Sequence, residues 1–281
     1  MIQNIRSPFR LSYFILYLFL IFFSLIVISP LAIVLSSSLR TPADMRSPLL
    51  LFTAFGFSSY ETAFRRMNYL NAFMNSFLTT GIAVSFVVLF ASMAAYPIAR
   101  IKLKVSRFLY YFFIAGLIVP SQMVIVPVVQ MIGRLYIPNT RFTPIIMFVT
   151  CSMPFTIFLF TGFMKSIPVE IEESSFLDGT NSRTRFFKIV FPLLQPATIS
   201  AVVTQGLWIW NDYFYPMIFI SRSTQFSLPV AMIQFLGDRE NPAQWNILFA
   251  SCILCALPVI GAFTFLQRQF ITGIASGAVK G

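Results

Sequence analysis

The stretch EIEESSFLDGTNSRTRFFKIVFPLLQP, from Glu170 to Pro196, places four acids and three bases between two apolar runs of a chain that is otherwise nearly all apolar. Pro168 stands just before it, and proline suits the first turn of a helix. Glu170, Glu172 and Glu173 fall in that turn, where the helix dipole favours negative charge. Gly179 lies just past the expected end, where a left-handed residue is needed and glycine adopts it without penalty. The pattern predicts a short helix of about ten residues with clear start and stop signals. The following SRTRFFKIVFPLLQP begins a second helix, interrupted by Pro192 and Pro196. Two short helices meeting at a glycine form a knob: either a charged connector on the membrane surface, or a handle for a soluble partner.

Outward from the knob, the chain is a membrane protein by composition. Of its 281 residues 57% are hydrophobic and 10% charged, and the mean hydropathy is +0.80. Soluble domains carry about 25% charged residues. Six stretches meet the roughly 20-residue requirement for a membrane helix: about 11–38, 72–99, 108–132, 142–164, 196–220 and 246–266. None shows the polar and apolar alternation of a barrel strand. The fold class is therefore all-α with six transmembrane helices in a single membrane domain over residues 1–281, and the loop 165–195 joins spans four and five. The first run is too long for a signal-peptide core and reads as a retained span.

The net charge of +11 does not point to nucleic acid, because the bases sit in short segments between apolar runs. Placing the N-terminus inside gives twelve cytoplasmic bases: Arg6, Arg10, Arg100, Lys102, Lys104, Arg107, Lys165, Arg183, Arg185, Lys188, Arg268 and Lys280. Eight then lie outside: Arg40, Arg46, Arg65, Arg66, Arg134, Arg141, Arg222 and Arg239. The short basic loop ARIKLKVSR weighs most in this orientation. Both termini and the charged knob are thus expected on the cytoplasmic side of the membrane. Two outer loops are long, 39–71 and 221–245, and FGFSSYETAFRRMNYL in the first suggests a helix lying at the interface.

Histidine is absent, which removes Ser-His-Asp and Cys-His catalysis and histidine metal sites. Cys151, Cys252 and Cys255 all lie in apolar runs and read as packing residues. No metal site, bound cofactor or phosphate-binding Gly-rich loop is expected, and the chain reads as a non-enzyme.

The knob carries a resemblance. Glu173-Ser174-Ser175, three residues, Gly179, nine residues, Ile189, one residue and Phe191-Pro192 resembles the EAA loop of ABC importer permeases, with serine at both alanine positions and phenylalanine for leucine. WIWNDYFYP (Trp208–Pro216) looks like a segment of the sugar-type permeases. MKSIPVEIEE (Met164–Glu173) and the tail QRQFITGIASGAVKG (Gln267–Gly281) are similar to the MalG-like subunits of that family. The resemblance implies a permease subunit of a binding-protein-dependent sugar importer. Its partners would be a second, similar permease in a heterodimer, a dimeric cytoplasmic ATPase, an extracytoplasmic solute-binding protein, a carbohydrate substrate and the lipid bilayer. ATP and Mg would be bound by the ATPase. Carried over to this chain, Glu173 would pair with a base in the ATPase cleft, Ser174 and Ser175 would pack there, and Asp178 would belong to the same coupling set. Gly179 would allow the turn, Ile189 and Pro192 would fix the second helix against the membrane core, and residues 273–281 would reach the ATPase interface. Loop 221–245 would enter the binding protein's cleft.

For the translocation path, Asp212 is the one acid inside an expected span, and intramembrane carboxylates are functional candidates. Around it stand Gln205, Trp208, Asn211 and Tyr213, whose aromatic faces and amides suit a sugar's C–H faces and hydroxyls. The bland alternative is an interfacial aromatic belt with interhelical hydrogen bonds. In VPSQMVIVPVVQM (Val119–Met131), Pro120 and Pro127 interrupt the helix and Gln122 supplies a polar group, as in helices that line a pathway. Alternative functions are an ABC importer for another polar solute such as a glycerol phosphodiester, and a stand-alone secondary transporter using Asp212.

Overall fold

A computed structural model describes residues 9–44, 47–49, 51, 55–137, 140–237 and 242–278. Arg6, Arg46, Arg239 and Lys280, counted above for orientation, and the tail end 279–281 lie outside the described residues. All regular elements among the described residues are helical, with no strand. In a bilayer each backbone N–H and C=O must find its partner within the protein, and a helix provides this locally.

In chain order the helices are α1 (Phe9–Ser38), α2 (Ser58–Arg66), α3 (Tyr69–Arg100), α4 (Lys104–Gly116), α5 (Ile125–Arg134), α6 (Phe142–Ser166), α7 (Glu170–Leu177), α8 (Ser182–Arg185), α9 (Phe191–Leu193), α10 (Gln195–Asn211), α11 (Phe214–Phe219), α12 (Leu228–Ile233) and α13 (Trp245–Ala278). A π-helical turn, Phe186–Val190, joins α8 to α9. Among the described residues four stretches are long and apolar enough to cross a membrane unbroken: Tyr13–Ser38, Tyr69–Arg100, Phe142–Ser166 and Trp245–Thr264. Counting each of two bent pairs as one broken span gives up to six: Lys104–Gly116 with Ser121–Arg134 at 89°, and Ser182–Leu193 with Gln195–Asn211 at 73°.

The first of these bends and a helix end at Asn211 correct two expected spans. The span at 108–132 is two nearly perpendicular pieces, because α4 stops at Gly116, four residues before Pro120, whose ring would strike that carbonyl and which has no N–H to bond it. The span at 196–220 ends at Asn211, and Asp212 is extended with ψ 128°. Pro216, four residues on, cannot bond the Asp212 carbonyl for the same reason. Asp212 therefore lies at a helix break rather than inside a span. The last helix runs on past residue 266 to Ala278.

The chain divides into two compact units, residues 1–69 with 232–257 and residues 70–231 with 258–281. In the first, α1 leads to a loop organised by Arg40. Its side chain is fully buried, and Nη1 donates to the Ser47 carbonyl at 2.9 Å, while the Arg40 carbonyl accepts from Ser59 Oγ. Asn246 ties this loop to α13 by donating to the Thr41 and Asp44 carbonyls at 2.9 and 2.6 Å. The expected interfacial helix is α2, with Phe64 and its basic residues exposed and Ser59 and Ala63 buried.

The second unit holds the main core. Small residues on α3 (Ala83, Ala91, Ala95) and α10 (Ala197, Ala201) are fully buried, which lets helix backbones approach closely where no water drives them together. Phe148, Ile157, Phe160 and Met164 of α6 fill the space between them.

Candidate functional site

The knob is built much as its residues dictate. Three acids occupy the first turn of α7. At its end Gly179 has φ +82°, the Thr180 N–H bonds back to the Ser175 carbonyl at 3.1 Å, and Asn181 Oδ1 accepts from the Thr184 N–H at 2.8 Å to start α8. A Cβ at Gly179 would meet nothing within 4 Å. Gly179→Ala is therefore expected to lose only the conformational term, about 1 kcal/mol for an L-residue in the left-handed region. Hydrogen exchange at the Thr180 amide should accelerate about fivefold, whereas Gly179→Asn, which tolerates that region, should exchange near the parent rate.

Helical geometry divides the acids. Glu172 and Ser175, three residues apart, share a face and are buried at 6% exposure each. Glu170, Ile171, Glu173, Ser174, Phe176 and Leu177 face outward, and Leu177 is 85% exposed. Asp178 and Gly179 are exposed as well. The Ser175 Oγ donates to the Glu172 carbonyl at 2.8 Å and accepts from Thr180. Ser174 is thus exposed and Ser175 buried, and only Ser174 is open to a docking partner. The Glu173 carboxylate makes no hydrogen bond or ion pair with another described residue, while its backbone N–H donates to the Val169 carbonyl at 3.0 Å. Phe176 is overlain by the Arg185 guanidinium at 5.5 Å.

The residue that secures α7 was not among those the sequence singled out. Glu172 Oε1 accepts from Arg100 Nε at 2.7 Å and pairs with Arg100 Nη2 at 2.7 Å. Its Oε2 accepts from Tyr96 Oη at 2.7 Å. Arg100 Nη2 also donates to the Ile167 carbonyl at 3.1 Å, just before α7. The sequence showed Arg100 only as a base at the edge of a basic loop, and Glu172 only as one of three acids. In the second helix Pro192 is exposed and Ile189 half-buried, while Phe186, Val190 and Leu194 take the inward positions. These three, rather than Pro192, hold that helix to the core.

The candidate path residues are less convergent. Gln205 is buried, and Trp208 sets its ring edge-on to Phe148 and Tyr215 at 5.7 and 6.4 Å. Tyr215 is buried among these rings and touches Cys151 Sγ at 3.5 Å. Asn211 Nδ2 donates to the Leu207 carbonyl at 2.8 Å, within its own helix. Asp212 Oδ2 accepts from the Tyr215 N–H at 3.0 Å and so caps α11. Gln122 is exposed, with Ser121 Oγ at 3.4 Å, and Tyr213 is exposed too. Asn211, Asp212 and Gln122 thus make local bonds rather than bonds to one another. The capping geometry makes an expected result: Asp212→Asn keeps the accepting oxygen and leaves solute uptake near the parent level, whereas Asp212→Ala loses a cap worth about 1 kcal/mol. Uptake into membrane vesicles measures both, and a collapse with Asn would instead mark a proton-carrying carboxyl.

A cavity of about 750 Å³ opens between faces of α3, α10 and α13, lined by Phe73, Phe77, Val84, Leu207, Trp210 and Phe263 among others. Its walls are almost wholly apolar and offer a sugar's hydroxyls little. No group of three or more metal-ligating side chains occurs among the described residues.

The family described as "Binding-protein-dependent transport system inner membrane component" matches residues 87–276. The chain is 34% identical to the melibiose/raffinose/stachyose import permease protein MelC of Bacillus subtilis (strain 168), covering 90% of this chain and 91% of that one. It is 32% identical to AmyC of Thermoanaerobacterium thermosulfurigenes, a probable permease of a starch degradation products transport system, over 92% and 93% of the two chains. Among solved structures, a bacterial ABC transporter that imports the acidic polysaccharide alginate has a chain that superposes with a TM-score of 0.77 at 19% identity, covering 95% of this chain and 100% of that one.

Proposed function

Because the chain belongs to the family of binding-protein-dependent transport system inner membrane components, we propose that it is the membrane-spanning permease subunit of an ATP-driven importer for a sugar or oligosaccharide. It is a multi-pass membrane protein and a transport component rather than a catalyst. On this reading residues 1–281 form one permease domain in the cell membrane with both termini in the cytoplasm, and a second, non-identical permease completes the path. A separate dimeric ATPase binds and hydrolyses ATP with Mg, and an extracytoplasmic binding protein delivers the carbohydrate.

The observation that carries this reading is the two-sided character of α7. Its inner face is locked to α3 through Glu172, while Glu173, Ser174 and Leu177 lie exposed on its outer face, with Phe176 beside them under the Arg185 guanidinium. Exposed apolar side chains beside an unpaired carboxylate suit a cleft that is partly apolar and carries a base. In this role Glu173 pairs with that base, Ser174 and Asp178 lie against the cleft wall, and Gly179 sets the angle to the second helix, which Ile189 and Pro192 follow. Substrate contact falls to Gln205, Trp208 and Tyr213, while Asn211 and Asp212 shape the break beside them and Gln122 stands at the other broken helix. The relatives' sugar transport supports the cargo class.

The test is purification from the native membrane in a mild detergent, with mass spectrometry of what accompanies the chain. An ATPase, a second permease and a solute-binding protein are the expected companions. A chain that emerges alone, and still moves solute in vesicles without ATP, overturns the proposal.

A further inference from the structure

Helix α3 is gripped by side chains at both ends, and its grips are of unlike parts. Near its C-terminal end Tyr96 and Arg100 hold both oxygens of Glu172, and with them α7. Near its N-terminal end Asn71 Nδ2 donates to the Thr224 carbonyl at 2.6 Å. Asn75 Nδ2 donates to the carbonyls of Thr224 and Phe226 at 2.9 and 3.1 Å. Ser76 Oγ accepts from the Leu228 N–H at 2.8 Å. The loop 224–228, which follows α11, is thereby tied to one end of α3 and the knob to the other.

Several physical features make this a rod rather than two unrelated contacts. From Asn71 and Ser76 to Tyr96 and Arg100 α3 rises about 30 to 44 Å at 1.5 Å per residue, enough to cross the roughly 30 Å hydrocarbon thickness, which sets the two grips toward opposite faces of the bilayer. Asn75, Ser76 and Glu172 are each nine-tenths or more buried, so parting either grip strands polar groups away from water. Between the grips Ala83, Val87, Ala91 and Ala95 are fully buried. All of these residues lie in one compact unit.

We propose that α3 is a transmission strut: Glu172 receives the movement of α7, and Asn75 with Ser76 passes it to the loop 224–228 on the other face. Tyr96, Arg100, Asn71, Asn75 and Ser76 are then positioning residues for transport, acting through α3 and touching neither ATP nor sugar. This rests on the permease reading above, since it is the ATPase that would move α7.

The experiment uses the whole complex in nanodiscs, with Cys151, Cys252 and Cys255 replaced by alanine and the exposed Ser223→Cys as reporter. The rate of maleimide labelling is compared without nucleotide and after trapping with ATP and vanadate. In the parent, trapping should change the rate about tenfold, within the usual range of coupling between distant sites. Glu172→Ala at one end and Asn75→Ala at the other should each abolish that response while trapped nucleotide is retained. The double variant should behave like either single, whereas independent lesions so far apart would add. A full response in either single variant with nucleotide trapped overturns the strut, as does a parent that traps nucleotide without any change at Ser223→Cys. If Glu172→Ala fails to assemble, Tyr96→Phe, which removes one hydrogen bond and no charge, replaces it with a reduced response expected and an undiminished one counting against the strut. A parent complex that contains no ATPase and traps no nucleotide refutes the permease reading instead.

Discussion

Glu173→Lys is expected to strip the ATPase from the complex while leaving the chain itself folded in the membrane. The Glu173 side chain is exposed on α7 and makes no hydrogen bond or ion pair with another described residue, so its replacement withdraws no such contact from the chain's own fold. In the proposed joint the carboxylate meets a base, and reversing its charge both leaves that base uncompensated and repels it. Losing one partner of a buried, hydrogen-bonded charge pair costs a few kcal/mol, so recovery of the ATPase should correspond to affinity weakened about 100-fold or more. The measurement is the ratio of ATPase to permease after affinity purification at fixed salt. An unchanged ratio would move the docking charge elsewhere. The same substitution at Ser175 would be uninformative, because that side chain turns inward and a lysine there would disrupt α7 before any partner was met.

Arg100→Met should produce the converse defect, a loosened knob on an otherwise intact chain. The Arg100 and Glu172 side chains are 13% and 8% exposed, and deleting the guanidinium leaves a buried carboxylate with Tyr96 as its remaining side-chain partner. Breaking one half of such a pair costs about 3 kcal/mol or more, which converts to roughly a 100-fold rise in local opening. Limited proteolysis within residues 165–195 of the nanodisc-embedded protein reads that opening directly. Arg100→Met combined with Glu172→Leu should recover most of the protection, since an apolar pair of similar volume is often as stable as the ion pair it replaces. Parent-like cleavage of Arg100→Met alone would show that α7 is held by other contacts.

Much of this arrangement was legible in the sequence, for identifiable reasons. Long apolar runs must be helical in lipid, so α1, α3, α6 and α13 stand close to where hydropathy places them. Gly179 was readable because left-handed backbone after a helix has few other occupants. The breaks were half-legible: Pro120 drew attention to its own bend, yet Pro216 also marks one, four residues upstream at Asp212, through the carbonyl it cannot bond. Which face of α7 turns inward was not legible. Both faces carry an acid and a serine, so neither polarity nor size distinguishes Glu172–Ser175 from Glu173–Ser174. The choice is made by Arg100 and Tyr96, more than seventy positions earlier in the chain, and no local pattern encodes that pairing. The ties from Asn71 and Asn75 to a loop about 150 residues later were hidden for the same reason.

The first helix carries a consequence of another kind. Tyr13–Ser38 is the most apolar of the four unbroken stretches, and none of its most apolar window is buried within the chain. Leu, Ile, Val and Phe along most of its length can therefore be exchanged for one another with little loss of buried packing, whereas Ala83 and Ala91 of α3 are fully buried, and an added methyl in a packed core must displace a neighbour. Under sequence drift the two helices should age differently. The first keeps its hydropathy and forgets its letters, and the other keeps its letters, small residue by small residue.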